Sequence, residues 1–282
     1  GESGCGKSVT SMSILQLLGS NARISGGSIK LDGKELIGLP EKEMCRIRGN
    51  DIAMIFQDPM TALNPTLTIG TQLMEPIMLH QNCGKKEAWT RAVDVLKRVG
   101  IAAPEKRMKE YPHQLSGGMR QRVMIAMAVS CEPRLLIADE PTTALDVTIQ
   151  AQILELMCEL REKMGTAIML ITHDMGVVAE TADDVLVLYA GKAVEYGSIE
   201  DIFERPKHPY TQGLLNSIPR LDEDVELLNT IEGTVPAPDA MPAGCRFAPR
   251  CPYGKDRCMK EKPGVYHAGN SLVSCFRYEG EK

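Results

Sequence analysis

The chain is poor in aromatic residues, with one Trp, four Phe and seven Tyr among 282 residues. It also lacks an excess of positive charge: 32 Lys and Arg stand against 37 Asp and Glu, for a formal net charge of −5 at pH 7. Proteins whose main partner is a nucleic acid usually carry a basic surface. We therefore expect no nucleic acid among the partners.

Long hydrophobic runs are also missing, since no apolar stretch approaches the roughly 20 residues that cross a bilayer. Any membrane role is therefore expected to come through a partner protein. Hydrophobic residues make up 43% of the chain, enough for the core of one domain of about 200 residues with an appendage. Five of the nine cysteines are scattered, as expected for free thiols in a reducing compartment: Cys5, Cys45, Cys83, Cys131 and Cys158.

Strand-like and helix-like patterns alternate along the chain, which predicts an α/β fold with a mostly parallel sheet. The predicted strands are 26–33 at a sheet edge, 52–56 at the sheet centre, 135–138, 167–172 and 185–189. The predicted helices are 8–18, 69–79, 85–99, 117–130, 147–163 and 175–182.

The same patterns predict the domain organisation. Helical segments with few strands between them indicate an inserted helical subdomain at about residues 66–131. Past residue 205 the sequence becomes proline-rich with short elements. We therefore expect one domain over residues 1–205 and a C-terminal extension over 206–282, here called the tail.

A phosphate-binding pattern, G-x-x-x-x-G-K-S, occupies residues 1–8, here called the phosphate loop. In such a loop, backbone N–H groups surround the β-phosphate, the Lys reaches the β- and γ-phosphates, and the Ser hydroxyl ligates Mg²⁺. The helix that follows directs its positive end at the same phosphates. The predicted nucleotide-binding residues are Gly1, Ser3, Gly4, Cys5, Gly6, Lys7, Ser8 and Val9. A chance glycine-rich turn is the alternative for an isolated match.

A buried strand normally leads into a phosphate loop, and no such strand precedes Gly1 in this sequence. We therefore expect the chain to be a fragment whose N-terminal strands lie upstream. An inert binding fragment is the corresponding alternative for its function.

Two acids follow an apolar strand in the sequence Leu-Leu-Ile-Ala-Asp-Glu at 135–140. This position is the carboxyl edge of the sheet, where α/β proteins bind ligands. Asp139 is expected to hold Mg²⁺, mostly through water, and Glu140 to polarise an attacking water. A solvated acidic turn is the alternative, which the phosphate loop in the same chain disfavours.

A second anion-binding helix start is predicted in Leu-Ser-Gly-Gly-Met-Arg-Gln-Arg at 115–122. Ser116 is a good N-cap, and Gly117 and Gly118 leave the first N–H groups of the helix uncovered. Two distant γ-phosphate sites are useful only if each contacts a different nucleotide. The pattern therefore predicts a head-to-tail pair of subunits that share two ATP molecules, with a plain flexible turn as the alternative.

Together these motifs resemble the nucleotide-binding subunits of ABC transporters, over essentially the whole chain. The resemblance implies a P-loop NTPase core of the ABC type, with ATP and Mg²⁺ as cofactors and Ser8, Gln57 and Asp139 around the metal. It also implies that Gln57 senses the metal and the attacking water, that His173 contacts the γ-phosphate and orients Glu140, and that Asp146 lies in a loop at the dimer interface. Ordinary polar caps are the alternative for an isolated Gln or His.

Three further stretches, 57–65, 208–211 and 244–247, resemble the dipeptide and oligopeptide permease ATPases, a group that includes nickel importers. The resemblance implies peptide uptake and a peripheral position at the cytoplasmic face of the membrane. The implied partners are membrane-spanning permease subunits, a second ATPase subunit and, indirectly, a substrate-binding protein. A nickel or other small-solute importer and a soluble, non-transport ABC ATPase remain alternatives.

Four cysteines cluster in the tail: Cys245, Cys251, Cys258 and Cys275, separated by five, six and sixteen residues. Zinc sites usually include a C-x₂₋₄-C pair, which is absent in the tail. Wider spacing suits a [4Fe–4S] cluster, and the resemblance implies one as well. Zinc and free or partly paired thiols remain alternatives. We expect a cluster to act as a staple, because the tail shows little core of its own.

Overall fold

The computed structural model describes residues 1–2, 4–143, 145–218 and 230–280. The chain divides into a larger compact unit, 8–171, and a smaller one made of residues 1–7 and 172–282. This division differs from the predicted boundary after residue 205, which stays a prediction. The two units are described separately.

The larger unit contains a parallel sheet of β3 (Ile52–Ile55), β4 (Leu135–Asp139) and β5 (Ala167–Ile171), with β4 in the middle. Its apolar β4 is almost wholly buried, and its last residue pairs with the last residue of β5. The prediction of a parallel sheet is confirmed here. The strand predicted at the sheet centre, β3, is instead an edge of this sheet as far as the described residues go.

The strand predicted over 26–33 is wrong in extent, because the chain turns at Asp32 and Gly33, which both have positive φ. It forms the first half of a separate hairpin, β1 (Lys30–Leu31) and β2 (Lys34–Glu35). Left-handed backbone of this kind marks a tight turn rather than continued strand.

Among the residues that the structure describes, eight helices begin within or just before the larger unit. They are α1 (Lys7–Ile14), α2 (Glu41–Ile47), α3 (Pro59–Ala62), α4 (Ile69–Gln81), α5 (Lys85–Arg98), α6 (Pro104–Arg107), α7 (Gly117–Val129) and α8 (Val147–Met164). The predicted helices at 69–79, 85–99, 117–130 and 147–163 agree within two residues. Helix α1 ends four residues earlier than predicted, since Gln16 adopts a left-handed conformation at φ 51°. Helices α4, α5 and α7 pack into one hydrophobic cluster with Leu73, Leu96 and Val123.

The smaller unit contains an antiparallel sheet in the order β6 (Asp184–Tyr189), β7 (Lys192–Ser198), β9 (Ser271–Val273) and β8 (Tyr266–Ala268). Its helices are α9 (Met175–Thr181), α10 (Ile199–Glu204), α11 (Pro209–Asn216) and α12 (Asp256–Lys260). The prediction of a mostly parallel sheet is wrong for this unit. Hairpin turns join β6 to β7 and β8 to β9, so these neighbours run antiparallel.

The tail shares its core with the rest of the smaller unit. Phe247 is buried against Tyr189 and Tyr210, with ring centroids 5.1 and 5.4 Å apart, and the two tyrosine rings lie 4.7 Å from each other. Strand β9 also pairs with β7. Buried aromatic clusters of this kind stabilise a fold strongly. The tail therefore shares a hydrophobic cluster with the preceding residues, and Phe247 lies in it with Val187 and Tyr189.

Candidate functional site

The phosphate loop has the backbone that its glycines predict. Gly4 and Gly6 have φ of 75° and 98°, a region that other residues adopt only with strain. A Cβ at Gly1 would lie 2.3 Å from the Leu188 carbonyl oxygen, so a side chain does not fit there. Ser3 lies outside the described residues.

The Lys7 ammonium donates to carbonyl oxygens of its own loop, to Gly1 at 2.9 Å and Glu2 at 3.3 Å. Two further contacts fix the loop backbone within the smaller unit. The buried Cys5 accepts a hydrogen bond from the Gly191 N–H at 2.8 Å, and the Glu2 N–H donates to the Tyr210 hydroxyl at 3.0 Å. These contacts fix the loop backbone at Glu2 and Cys5.

Glu2 also forms an ion pair with Arg250, whose Nη1 lies 3.0 Å from one carboxylate oxygen. Sequence reasoning missed both partners of Glu2. Tyr210 entered only as part of a subfamily motif, and nothing in the sequence pattern around Arg250 distinguishes it from other tail arginines. Ser8 and Val9, which follow the loop in α1, are both exposed.

Glu140 and Gln57 lie together in the larger unit although 83 residues separate them. Each follows a strand of the parallel sheet, β4 and β3 respectively, and the Gln57 Nε2 donates to the Glu140 Oε2 at 2.9 Å. The Thr143 hydroxyl donates to the same oxygen at 3.1 Å. Glu140 has a φ of 47° and its N–H donates to the Ile171 carbonyl. Such strained backbone often occurs at functional sites.

Asp139 is only 4% exposed, and its Oδ1 has no hydrogen-bond partner among the residues that the structure describes. An unsatisfied buried carboxylate oxygen is unfavourable, so this atom suits a cation or a water bound to one. Magnesium prefers oxygen ligands and retains several waters. The residues present therefore fit the predicted metal.

The second predicted anion site lies at the start of α7. Ser116 is the N-cap of α7, and its hydroxyl accepts from the Met119 N–H at 3.4 Å. Ser116 and Gly117 are exposed, and a Cβ at Gly117 would meet no atom within 4 Å. The helix start is therefore open to a ligand from outside the subunit.

Gly118 differs from Gly117, because a Cβ there would lie 3.2 Å from the side chain of Ile149 in α8. Asp146, the N-cap of α8, accepts from the Ile149 N–H at 3.0 Å. The structure thus brings the start of α7 close to the predicted interface loop. Ala144 of that loop lies outside the described residues.

His173 is exposed and belongs to the smaller unit, just before α9. Its neighbour Asp174 is the N-cap of α9 and accepts from the Gly176 and Val177 N–H groups at 2.9 and 3.3 Å. The predicted role of His173 toward the γ-phosphate stays a prediction.

The four tail cysteines line one cavity in the smaller unit, together with Phe247 and His208. All nine cysteines of the chain are free. Burial raises the pKa of three thiols at the cavity, those of Cys245, Cys251 and Cys275. As placed, no group of three or more His, Cys, Asp or Glu side chains among the described residues is arranged to hold a metal ion.

A buried polar network borders this cavity. The Glu195 carboxylate accepts from the backbone N–H groups of Lys207 at 2.7 Å and His208 at 2.9 Å, and burial raises its pKa. Burial lowers the pKa of His208 to about 4. Its Nδ1 accepts from the Tyr210 N–H at 3.0 Å, so a neutral imidazole is the N-cap of α11. The sequence motif at 208–211 was the available signal for this network.

No helix within the described ranges combines the length and apolar character that a membrane span requires.

Two family models match the chain. The ABC transporter model matches residues 1–143, and a model of the C-terminal region of oligopeptide/dipeptide transporters matches residues 194–258.

Similar proteins agree with these matches. The oligopeptide transport ATP-binding protein AppD of Bacillus subtilis is 58% identical, over all of this chain and 86% of its own length. The dipeptide transport ATP-binding protein DppD of the same organism is 55% identical, over 98% of this chain and 83% of its own length. An ATP-binding cassette solved as a dimer with ADP and Pi superposes with a TM-score of 0.62 at 29% identity, covering 70% of this chain and 82% of that one. The chain therefore belongs to the ABC transporter family, as an ATP-binding subunit of the oligopeptide and dipeptide importers.

Proposed function

We propose that this subunit hydrolyses ATP at the phosphate loop, with Glu140 polarising the attacking water. The observation that carries the proposal is the 2.9 Å hydrogen bond from Gln57 to Glu140 at the carboxyl edge of a parallel sheet. Ligands of α/β proteins bind at this edge. Gln57 and Thr143 both donate to one carboxylate oxygen of Glu140, which restricts the orientation of the carboxylate.

The phosphates are bound by the N–H groups of the loop, by Lys7 and by the start of α1. Ser8 and Asp139 would hold Mg²⁺, with Gln57 close to it. When bound, the metal supplies positive charge that neutralises the phosphate oxygens. The buried Oδ1 of Asp139, which has no hydrogen-bond partner within the described part of the chain, supports this assignment. By the family resemblance, His173 contacts the γ-phosphate and orients Glu140.

Two such subunits pair head to tail around two nucleotides. Ser116, Gly117 and Gly118 of one subunit contact the γ-phosphate held by the other, while Asp146 lies at the interface. The exposed start of α7, where a Cβ at Gly117 would meet no atom within 4 Å, supports this arrangement. The second ATPase is either another copy or a related chain.

ATP-driven closing and opening of the pair would move membrane-spanning permease subunits by rigid-body motion. The subunit would then lie at the cytoplasmic face of the membrane and drive uptake of peptides that a substrate-binding protein delivers. The functions for which AppD and DppD are named, oligopeptide and dipeptide transport, support peptides as cargo.

The four tail cysteines would hold a [4Fe–4S] cluster. Their convergence on one cavity supports this proposal, as does the absence of a C-x₂₋₄-C pair in the tail. A cluster separates its ligands more widely than one metal ion does, so it needs no tight group of three side chains. The cluster would stabilise the tail by cross-linking it. We place the ATPase domain at residues 1–205 and the C-terminal extension at 206–282.

Transport in proteoliposomes tests the proposal. The subunit, its permease partners and a peptide-binding protein would be reconstituted, and uptake of a labelled dipeptide, a labelled pentapeptide and Ni²⁺ compared with and without ATP. We expect ATP-dependent uptake of peptide that the Lys7→Ala variant abolishes. Uptake of Ni²⁺ alone, or ATP hydrolysis that no permease stimulates, would overturn the assignment to peptide import.

A further inference from the structure

Glu2 of the phosphate loop is contacted by two side chains from the distant C-terminal part of the chain. Its N–H donates to the hydroxyl of Tyr210, 208 residues away, at 3.0 Å. Its carboxylate accepts from Nη1 of Arg250, 248 residues away, at 3.0 and 3.2 Å. A phosphate loop binds phosphate through its own backbone, so these long-range contacts are not needed for the loop motif itself.

Both contacting groups are fixed before they reach Glu2. The Arg250 side chain is 6% exposed, and its other nitrogens donate to the carbonyl oxygens of Glu232 at 2.9 Å and Ile231 at 3.1 Å. The Tyr210 ring is fully buried between Tyr189 and Phe247. A donor or acceptor held by packing and by second hydrogen bonds loses little freedom when it binds its partner, so it can impose a geometry.

Lys7 cannot play this role during turnover. Its ammonium now contacts the carbonyl oxygens of Gly1 and Glu2, and it must leave them to reach the β- and γ-phosphates. The contacts of Tyr210 and Arg250 involve Glu2, which is not among the predicted nucleotide-binding residues. They can therefore persist when ATP is bound and keep Glu2 in place after Lys7 has moved.

We propose that Tyr210 and Arg250 are positioning residues that hold Glu2, and through it the backbone of the phosphate loop, in the geometry that receives ATP. They contact neither the reacting atoms nor the attacking water. Their loss should therefore weaken ATP binding and leave the chemical step nearly unchanged. This inference rests on the proposed function of the loop as the ATP site.

Equilibrium binding of MgATP and steady-state hydrolysis test the inference in Tyr210→Phe and Arg250→Gln. Tyr210→Phe removes one hydroxyl and keeps the buried ring, so the core is preserved. We expect the KM and Kd for ATP to rise about threefold to fivefold, the loss of one hydrogen bond. For Arg250→Gln we expect a rise of about tenfold or more, because a little-exposed ion pair is lost. In both, kcat should stay within twofold.

Arg257→Gln is the matched control. Arg257 also lies in the tail and forms ion pairs, with Glu261 and Glu279, but it is about half exposed and contacts no residue of the phosphate loop in the described contacts. Its KM should equal that of the wild type. The Glu2→Gln variant should raise KM like Arg250→Gln, and the double variant should raise it no further.

The outcomes separate this inference from the proposed function. A wild-type subunit that neither binds nor hydrolyses ATP would refute the proposed function. An active wild type with unchanged KM in folded Tyr210→Phe would overturn the positioning role, as would additive effects of Arg250→Gln and Glu2→Gln. If Arg250→Gln lowers the unfolding midpoint too far to assay, Tyr210→Phe and Glu2→Gln still decide the question.

Discussion

Glu140→Gln is the substitution that most directly tests the proposed chemistry. It replaces one carboxylate oxygen by an NH₂ group and changes neither the length nor the shape of the side chain. The backbone around it should be unaffected, since its φ of 47° and the hydrogen bond from its N–H to Ile171 do not involve the carboxylate. Any loss of activity can then be assigned to the replacement of the carboxylate by an amide.

The contacts of the Glu140 carboxylate determine the orientation of the amide group that replaces it. Oε2 of the carboxylate accepts from both Gln57 and Thr143. The amide oxygen of the variant can take that position and keep both hydrogen bonds, which leaves the NH₂ group on the opposite side. If the amide of Gln57 flips instead, one hydrogen bond is still kept. In neither case can the NH₂ group accept a proton from water.

The size of the effect follows from the role. A positioned general base contributes about 10²- to 10⁴-fold to rate, which corresponds to about 3 to 5 kcal/mol of activation free energy. ATP affinity should change little, since the loop and Lys7 are untouched. The assay is phosphate release at saturating MgATP, together with gel filtration, in which the variant should elute as an ATP-trapped dimer.

Glu132→Gln is the control for this experiment. Glu132 also has positive φ, 53°, and lies in the larger unit, but it is exposed and pairs with Arg98 at 3.0 Å. Its turnover should match the wild type. If Glu140→Gln hydrolyses ATP within about threefold of the wild-type rate, Glu140 is not the base, because a loss this small is far below the contribution of a positioned base.

Three further predictions concern other parts of the chain. Ser116→Arg should abolish ATP-driven pairing and turnover but preserve the nucleotide affinity of the single subunit. Thr68→Arg, which alters the N-cap of α4, is the control and should leave pairing intact. Unchanged turnover in Ser116→Arg would refute the shared site. Cys251→Ser should remove the iron, about four per chain, that anaerobic wild type is expected to contain, while Cys158→Ser keeps it; stoichiometric zinc or no metal in the wild type would refute the cluster. Between pH 6.5 and about 4, His208 is protonated in the unfolded chain but not in the native one. The free energy of unfolding should therefore decrease by up to about 3 kcal/mol as the pH is lowered through this range. His208→Asn keeps an N-cap acceptor and should remove the part of this pH dependence that His208 causes. Glu195, whose pKa is raised, contributes a pH dependence of opposite sign to both proteins. Equal pH dependence of the free energy of unfolding in the two proteins, measured by urea titrations, would contradict the prediction.

The larger unit could be predicted well from sequence because its elements have strong local patterns. Helices α5 and α8 show the helical period over many residues, and β4 is a short apolar run between turn signals. The Gln57–Glu140 contact could be expected once both were placed after parallel strands, since such strands end at one edge. Thr143 was missed because a Thr in a turn carries no distinguishing pattern.

The smaller unit could not be predicted to the same depth. Strands β8 and β9 have three residues each, too few for a period-2 pattern to be recognised. The pairing of β9 with β7 depends on chain more than 70 residues away, as the pairing of Glu195 with Val273 shows. Local patterns carry no information on such partners, so the cluster that the tail shares with β6 and β7 could not be predicted.

The contacts of Arg250 and Tyr210 explain why a phosphate loop and a C-terminal region form one compact unit. Residues 1–7 of the phosphate loop include two glycines at positive φ, and ordering each residue costs about 1–2 kcal/mol. Anchors that are already rigid lower this cost. The antiparallel sheet and the aromatic cluster around Tyr189, Tyr210 and Phe247 supply that rigidity. The motif that binds phosphate is local in sequence, but the structure that holds it in shape is not.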